Sequence, residues 1–159
     1  MFKVQWLRFG GLRCSPLNAA LCLREKTVIL GLNHITIAVS DLDRSLQFYR
    51  ETLGFTAHAK WDNGAYLSIG ELWFCLSHDE PCPKTDYTHV AFDIEPKEFE
   101  AFAKRIVSLG AEVWKENKSE GQSLYILDPD GHKLEIHSGS LKSRLESLRT
   151  KPYSGLVWL

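Results

Sequence analysis

The chain has 159 residues, a formal net charge of -1, 44% hydrophobic and 25% charged residues, which is enough for one domain with a sizeable core. No Lys/Arg stripe interleaved with aromatics gives a nucleic-acid footprint, and no apolar run approaches the roughly 20 residues that span a bilayer. Cys14, Cys22, Cys75 and Cys82 make no C-x-x-C pair, so the chain reads as a cytoplasmic protein with reduced thiols, and Cys75, inside LWFCL, as a small core residue.

Residues 1–29 differ from the rest. Lys3, Arg8, Arg13, Arg24 and Lys26 face a single acid, Glu25. An organelle-targeting presequence and an extension outside the fold compete here. The extension is the preferred reading, with little packed structure before about residue 30 and a single domain over 30–159.

A first module is expected over 31–78. GLNHITIAV alternates as a strand, with Ile35, Ile37 and Val39 on one face and His34 and Thr36 on the other. SDLDRSLQFYRETLG follows as a helix capped by Ser40 or Asp41, with Leu42, Leu46, Tyr49 and Leu53 as its buried stripe and Gly54 as its stop. FTAHAKW, AYLSIG and LWFCLS read as strands, the last two joined at Gly70-Glu71. A polar, Pro-bearing connector, HDEPCPKTD, leads on.

The second module, over 85–139, repeats the order. YTHVAFDI reads as a strand and PKEFEAFAKRIVSLG as a helix with Pro96 at its first position, Phe99, Phe102, Ile106 and Leu109 as its stripe and Gly110 as its stop. EVWKE, SLYIL and KLEIHS are its strands. A last helix over about 140–150 aligns Leu141, Leu145 and Leu148. The duplication predicts an α+β fold of paired βαβββ modules.

His34 and His89 hold matching positions in the two modules. Two imidazoles at equivalent positions point to a shared ligand, and Glu135 supplies a carboxylate partner. The turn LDPDGH decides which way Glu135 faces. Pro129 and Gly131 suit a bulged hairpin in which Asp128 pairs with His132, Tyr125 with Glu135 and Ser123 with His137. A plain four-residue loop would set Glu135 against Leu124, and an unpaired buried carboxylate costs several kcal/mol. Two histidines and one carboxylate leave coordination positions open, as catalytic sites do. The set alone suits Mn, Fe, Zn or Ni. His137, two residues along the Glu135 face, is a weaker alternative ligand; His58, His78 and His132 have less claim.

LNHITIAVSDL, GAYLSIGELWFCLS, DYTHVAF, WKENKSEGQSLYILDPDGHKLEIHSGSL and KPYSG resemble the fosfomycin-resistance glutathione transferases of the vicinal oxygen chelate superfamily, from about Leu30 to near the C-terminus. The resemblance implies a domain-swapped homodimer binding Mn(II), or another divalent metal, through His34 of one copy with His89 and Glu135 of the other. It implies that Thr36, Lys115, Ser119, Tyr125 and Arg144 hold the phosphonate and its oxygens. A K+ loop would use Asn117, Ser119, Gly121 and Ser123, while Trp61, Tyr66 and Trp73 would line the glutathione and epoxide side. Tyr66 is the candidate to assist thiol ionisation. The partners implied are fosfomycin and glutathione, with no nucleic acid and no membrane.

Without that resemblance, each of these residues has an ordinary reading: Lys115 a solvated strand lysine, Arg144 a surface ion-pair partner, Trp73 and Tyr66 edge packing. Four functional rivals stand beside the glutathione transferase. They are an extradiol dioxygenase, a glyoxalase-like enzyme, an epoxide hydrolase needing a base such as Asp62, and a metal-free drug-binding module.

Overall fold

The structure, a computed structural model, describes residues 28–118 and 120–159. The chain divides into the units Met1–Leu32 and Asn33–Leu159, and every helix and strand below lies in the second. The basic segment, Cys14 and Cys22 lie outside the described residues, as does Ser119.

The first module runs β1 (His34–Val39), α1 (Leu42–Gln47), β2 (Thr56–Trp61), β3 (Gly64–Ile69) and β4 (Leu72–His78). The second runs β5 (Val90–Asp93), α2 (Pro96–Ser108), β6 (Val113–Lys115), β7 (Gln122–Leu127) and β8 (Lys133–Ser138), and α3 (Leu141–Thr150) closes the chain. Two four-stranded sheets result, in the orders β1-β4-β3-β2 and β5-β8-β7-β6. In each the first strand is parallel to the last and the other pairs are antiparallel. The expected duplication is therefore present strand for strand.

Period-two alternation sorts the first sheet into two faces. Ile35, Ile37, Leu67, Phe74 and Leu76 turn to the core with Tyr49 and Phe55. Phe92 joins them from the second sheet, its ring 5.3 Å from Phe55 and 6.1 Å from Phe74, so a single core serves both modules.

Asp41 is the cap of α1, accepting from Arg44 N at 3.0 Å. The expected single helix instead widens into a π-helical turn over Phe48–Thr52. Arg105 of α2 caps that turn by donating to Thr52 O at 2.8 Å, and Tyr49 within it is fully buried. Its hydroxyl donates to Asp128 at 3.0 Å.

The hairpin β7–β8 has the bulged register expected of LDPDGH. Tyr125 pairs with Glu135 and Ser123 with His137, Asp128 N donates to His132 O at 3.0 Å, and Gly131 takes φ +87°. A positive φ there is what the turn requires and what glycine supplies.

Three further expectations fail. β5 begins at Val90, so His89 precedes the strand; Asp86 accepts from Thr88 N at 2.9 Å, and this local turn withholds the segment from the ladder. Leu109 lies past the last turn of α2 and is 59% exposed rather than buried. On α3 only Leu148 is buried, while Leu141 is 74% exposed.

Candidate metal centre

On the face of the first sheet away from the core, β1 presents His34 and Thr36. Register sets Trp73 beside His34, and Cys75 beside both Thr36 and Tyr66. Cys75 is buried as expected, on this face of the sheet. The aromatic rings run in sequence: His34 to Trp73 at 4.6 Å, Trp73 to Tyr66 at 5.2 Å, Tyr66 to Trp61 at 4.7 Å. Gly64 makes room for the last of these, since a Cβ there would lie 2.4 Å from the Trp61 indole. Trp61, Tyr66 and Trp73 are about two-fifths exposed, so this is an open aromatic shelf ending on an imidazole. The ring of His34 is fixed by Nδ1–H, which donates to Asn33 Oδ1 at 2.8 Å.

The corresponding face of the second sheet carries the carboxylate. Glu135 on β8 is 7% exposed, and its Oε2 lies 2.9 Å from His89 Nε2. His89 Nδ1–H donates to Tyr87 O at 2.8 Å, which points Nε2 at Glu135. Burial raises the pKa of Glu135. Hydrogen bonds from Ser123, Tyr125 and His89, with the nearby His137, outweigh burial and hold the carboxyl below its usual value. Glu135 is thus an anion at neutral pH.

Lys115 of β6 stands on the same face, beside Tyr125 in the ladder. Its Nζ donates to the Tyr87 hydroxyl and lies 4.2 Å and 4.4 Å from the centroids of Tyr87 and Tyr125. The bond to Lys115 is the main reason the Tyr87 phenol falls below its ordinary pKa and the ammonium rises above its own. Arg144, on α3, pairs with Glu120 at 3.5 Å, in a groove that also holds Lys118 and Lys151. Asn117 donates from Nδ2 to Gly121 O at 2.8 Å, which closes the loop ahead of β7.

Of the residues expected from sequence, the structure unites His89, Glu135, Lys115, Tyr125 and Ser123 on one sheet, and His34, Thr36, Trp61, Tyr66 and Trp73 on the other. Among the described residues, no three of His, Cys, Asp and Glu gather into a metal-holding group within one chain. The donor chemistry still fits a divalent ion. Both histidines spend Nδ1–H on an oxygen acceptor, which orients Nε2 as a ligand, and Glu135 is an ionised oxygen donor beside one of them. Asn33 and Tyr87 were missed as site residues, and His137 was weighed only as an alternative ligand. Asn33 and Tyr87 act through contacts one and two residues away, beside each histidine, where a strand pattern gives no hint of them.

The glyoxalase/bleomycin resistance protein/dioxygenase superfamily matches residues 31–136. Glutathione transferase FosA of Serratia marcescens is 52% identical over 136 residues, covering 82% of this chain and 96% of that protein. Metallothiol transferase FosB of Staphylococcus epidermidis is 35% identical, covering 74% and 88%. The crystal structure of the fosfomycin resistance protein FosX of Listeria monocytogenes, complexed with Mn(II) and sulfate, aligns with TM-score 0.69 at 32% identity over 75% of this chain and 98% of that one. The chain belongs to the glyoxalase/bleomycin resistance protein/dioxygenase superfamily and, within it, to the FosA-like fosfomycin-resistance glutathione transferases.

Proposed function

We propose that the two sheet faces are halves of one active site, completed between two copies of the chain, in which glutathione opens the epoxide of fosfomycin. His34 of one copy and His89 and Glu135 of the other would hold the divalent ion, Mn(II) being the ion in the FosX structure. The observation that carries this reading is the buried, ionised Glu135 against His89 Nε2, with only β7 and its Tyr125 between its strand and that of the Lys115 ammonium.

The reaction needs an ionised thiol, a held phosphonate and a stabilised leaving oxygen. The glutathione sulfur attacks an epoxide carbon, the C–S bond forms as the C–O bond breaks, and the ring oxygen leaves with the electron pair and then takes a proton. A divalent cation supplies Lewis-acid stabilisation of the charge on that oxygen. Thr36, two residues from His34, offers a hydroxyl to the phosphonate and its oxygens. Lys115 and Tyr125 hold the phosphonate, joined by Arg144 and Ser119, with fixed charges that need no rearrangement during reaction. Tyr66, on the aromatic shelf with Trp61 and Trp73, donates to the thiolate sulfur and raises the small fraction of thiol ionised at neutral pH. Hydroxyls and carbonyls of Asn117, Ser119, Gly121 and Ser123 suit a monovalent hard cation, K+.

The test is incubation with fosfomycin, glutathione, MnCl2 and KCl, followed by mass spectrometry. The expected product carries the mass of both substrates. A sulfur-free diol would identify an epoxide hydrolase, and unchanged drug bound to metal-free protein a sequestering module.

A further inference from the structure

We infer that His137 is a positioning residue, holding Glu135 in its ligand geometry and tying that carboxylate to the loop ahead of β7. The inference rests on the reading of Glu135 as a metal ligand.

The ring of His137 touches both structures at once. Its Nδ1 lies 2.8 Å from Ser123 Oγ and 3.5 Å from Glu135 Oε1. Ser123, opposite His137 in the ladder, thus shares the imidazole edge that faces the carboxylate. Glu135 Oε2 faces His89 while Oε1 faces His137, so the carboxylate is gripped from both sides and one rotamer is selected.

The ring itself is held by two close backbone approaches. A Cβ at Gly139 would lie 2.7 Å from His137 Nε2, and a Cβ at Gly121 would lie 3.0 Å from its Cε1 and 2.9 Å from Ser138 O. Gly121 also receives the Asn117 amide on its carbonyl. The loop therefore packs onto the same imidazole that orients the carboxylate. Partners of this kind, which touch a ligand rather than the ion, change metal affinity by about ten- to a hundredfold when removed.

The test is titration of the chelator-stripped full chain with MnCl2, read by calorimetry or by electron paramagnetic resonance of free Mn(II), beside thermal melting of the metal-free proteins. His137→Phe keeps the ring volume and loses Nδ1; its Mn(II) affinity should fall about ten- to a hundredfold at unchanged metal-free melting temperature. His137→Asn, whose amide nitrogen can sit near the Nδ1 position, should recover most of the loss, and His137→Gln, which reaches toward Nε2, should not. Adding Ser123→Ala to His137→Phe should cost little more than either alone, because both break one hydrogen-bond chain. Parent-like affinity in His137→Phe overturns the inference, as does equal affinity of the Asn and Gln variants, which also decides the matter if the Phe variant does not fold. Parent-like affinity in Glu135→Ala would instead overturn the reading of Glu135 as a ligand.

Discussion

His34 and His89 are anchored alike although they belong to different modules. Each spends Nδ1–H on an oxygen 2.8 Å away, Asn33 Oδ1 for one and the Tyr87 carbonyl for the other. Each anchor therefore leaves Nε2 as the ligand atom, which in His89 hydrogen-bonds Glu135 and would give up that proton to an ion. The two anchors differ in kind. Tyr87 uses its backbone, which no side-chain substitution removes, whereas Asn33 uses a replaceable amide. Asn33→Ala should weaken Mn(II) binding about tenfold, and His34→Ala, His89→Ala and Glu135→Ala should abolish it. Titration of the metal-free proteins with MnCl2 checks this, and tight binding by His34→Ala would remove that residue from the ligand set.

Separation of His34 from the His89–Glu135 pair leads to a complementation experiment. A His34→Ala homodimer and a Glu135→Ala homodimer should both be inactive. In a two-fold dimer with shared sites, a mixed pair has one site carrying both defects and one carrying neither. Random pairing of equal amounts should then restore about a quarter of parental activity. Refolding the two variants together and assaying adduct formation measures it. No recovery in a confirmed heterodimer would mean that each site is built within one chain.

On the proposed reading Lys115 acts on the drug rather than on the metal. Its ammonium sits between the Tyr87 and Tyr125 rings and donates to the Tyr87 hydroxyl. Lys115→Ala should raise the KM for fosfomycin roughly ten- to a hundredfold, as expected for loss of a hydrogen bond to a charged group, while the Mn(II) titration stays parental. Loss of Mn(II) binding in this variant would contradict the assignment.

Tyr66 stands between Trp61 and Trp73, edge-on to both, and on the proposed reading its hydroxyl serves the thiol. Tyr66→Phe preserves the stack and deletes the hydroxyl. Its kcat/KM for glutathione should fall about a hundredfold, and its activity should climb more steeply with pH than the parent's as the thiol ionises unaided. A pH profile of kcat/KM for each protein separates this from a packing defect, which would leave the profile's shape unchanged.

Much of this was legible in sequence because it depends on periodicity and turn chemistry. The alternation of β1, the duplicated module order and the bulged LDPDGH turn are local, and the turn alone fixed Tyr125 opposite Glu135. Contacts that cross modules were hidden. The π-helical turn at Phe48–Thr52 exists where Tyr49 reaches Asp128, 79 residues away, and a helical stripe gives no sign of the widening. His137 was read only as a rival ligand, since its neighbours Gly121 and Gly139 become meaningful only when both backbones are seen against its ring.

The LDPDGH turn also joins the modules, and its two aspartates should respond to acid with opposite sign. Asp130 accepts from Ser40 N at 3.1 Å and from Arg44 at 2.6 Å. Burial pushes its pKa up, but the bonds from Ser40 and Arg44 prevail and hold it below the ordinary 3.8. An aspartate lowered on folding adds stability above its unfolded pKa and loses it as pH falls through the folded value. Asp130→Asn should therefore melt well below the parent at pH 7, with the gap closing as pH drops from about 4. Asp128 is raised, chiefly by burial, against the bonds from His132, Tyr49 and Asp130. Its native state prefers the proton, so acid relieves a cost instead of removing a benefit. The Tyr49 hydroxyl supports the ionised form, and Tyr49→Phe leaves Asp128 Oδ2 without that donor. The loss should be about 1–3 kcal/mol near neutrality and should shrink at lower pH as Asp128 protonates. Thermal melts of the parent, Asp130→Asn and Tyr49→Phe from pH 7 down to about pH 2.5, past the ordinary aspartate range, measure both trends. A Tyr49→Phe defect that stays flat from neutral pH into acid would mean that Asp128 is already protonated at neutral pH and donates to the Tyr49 oxygen.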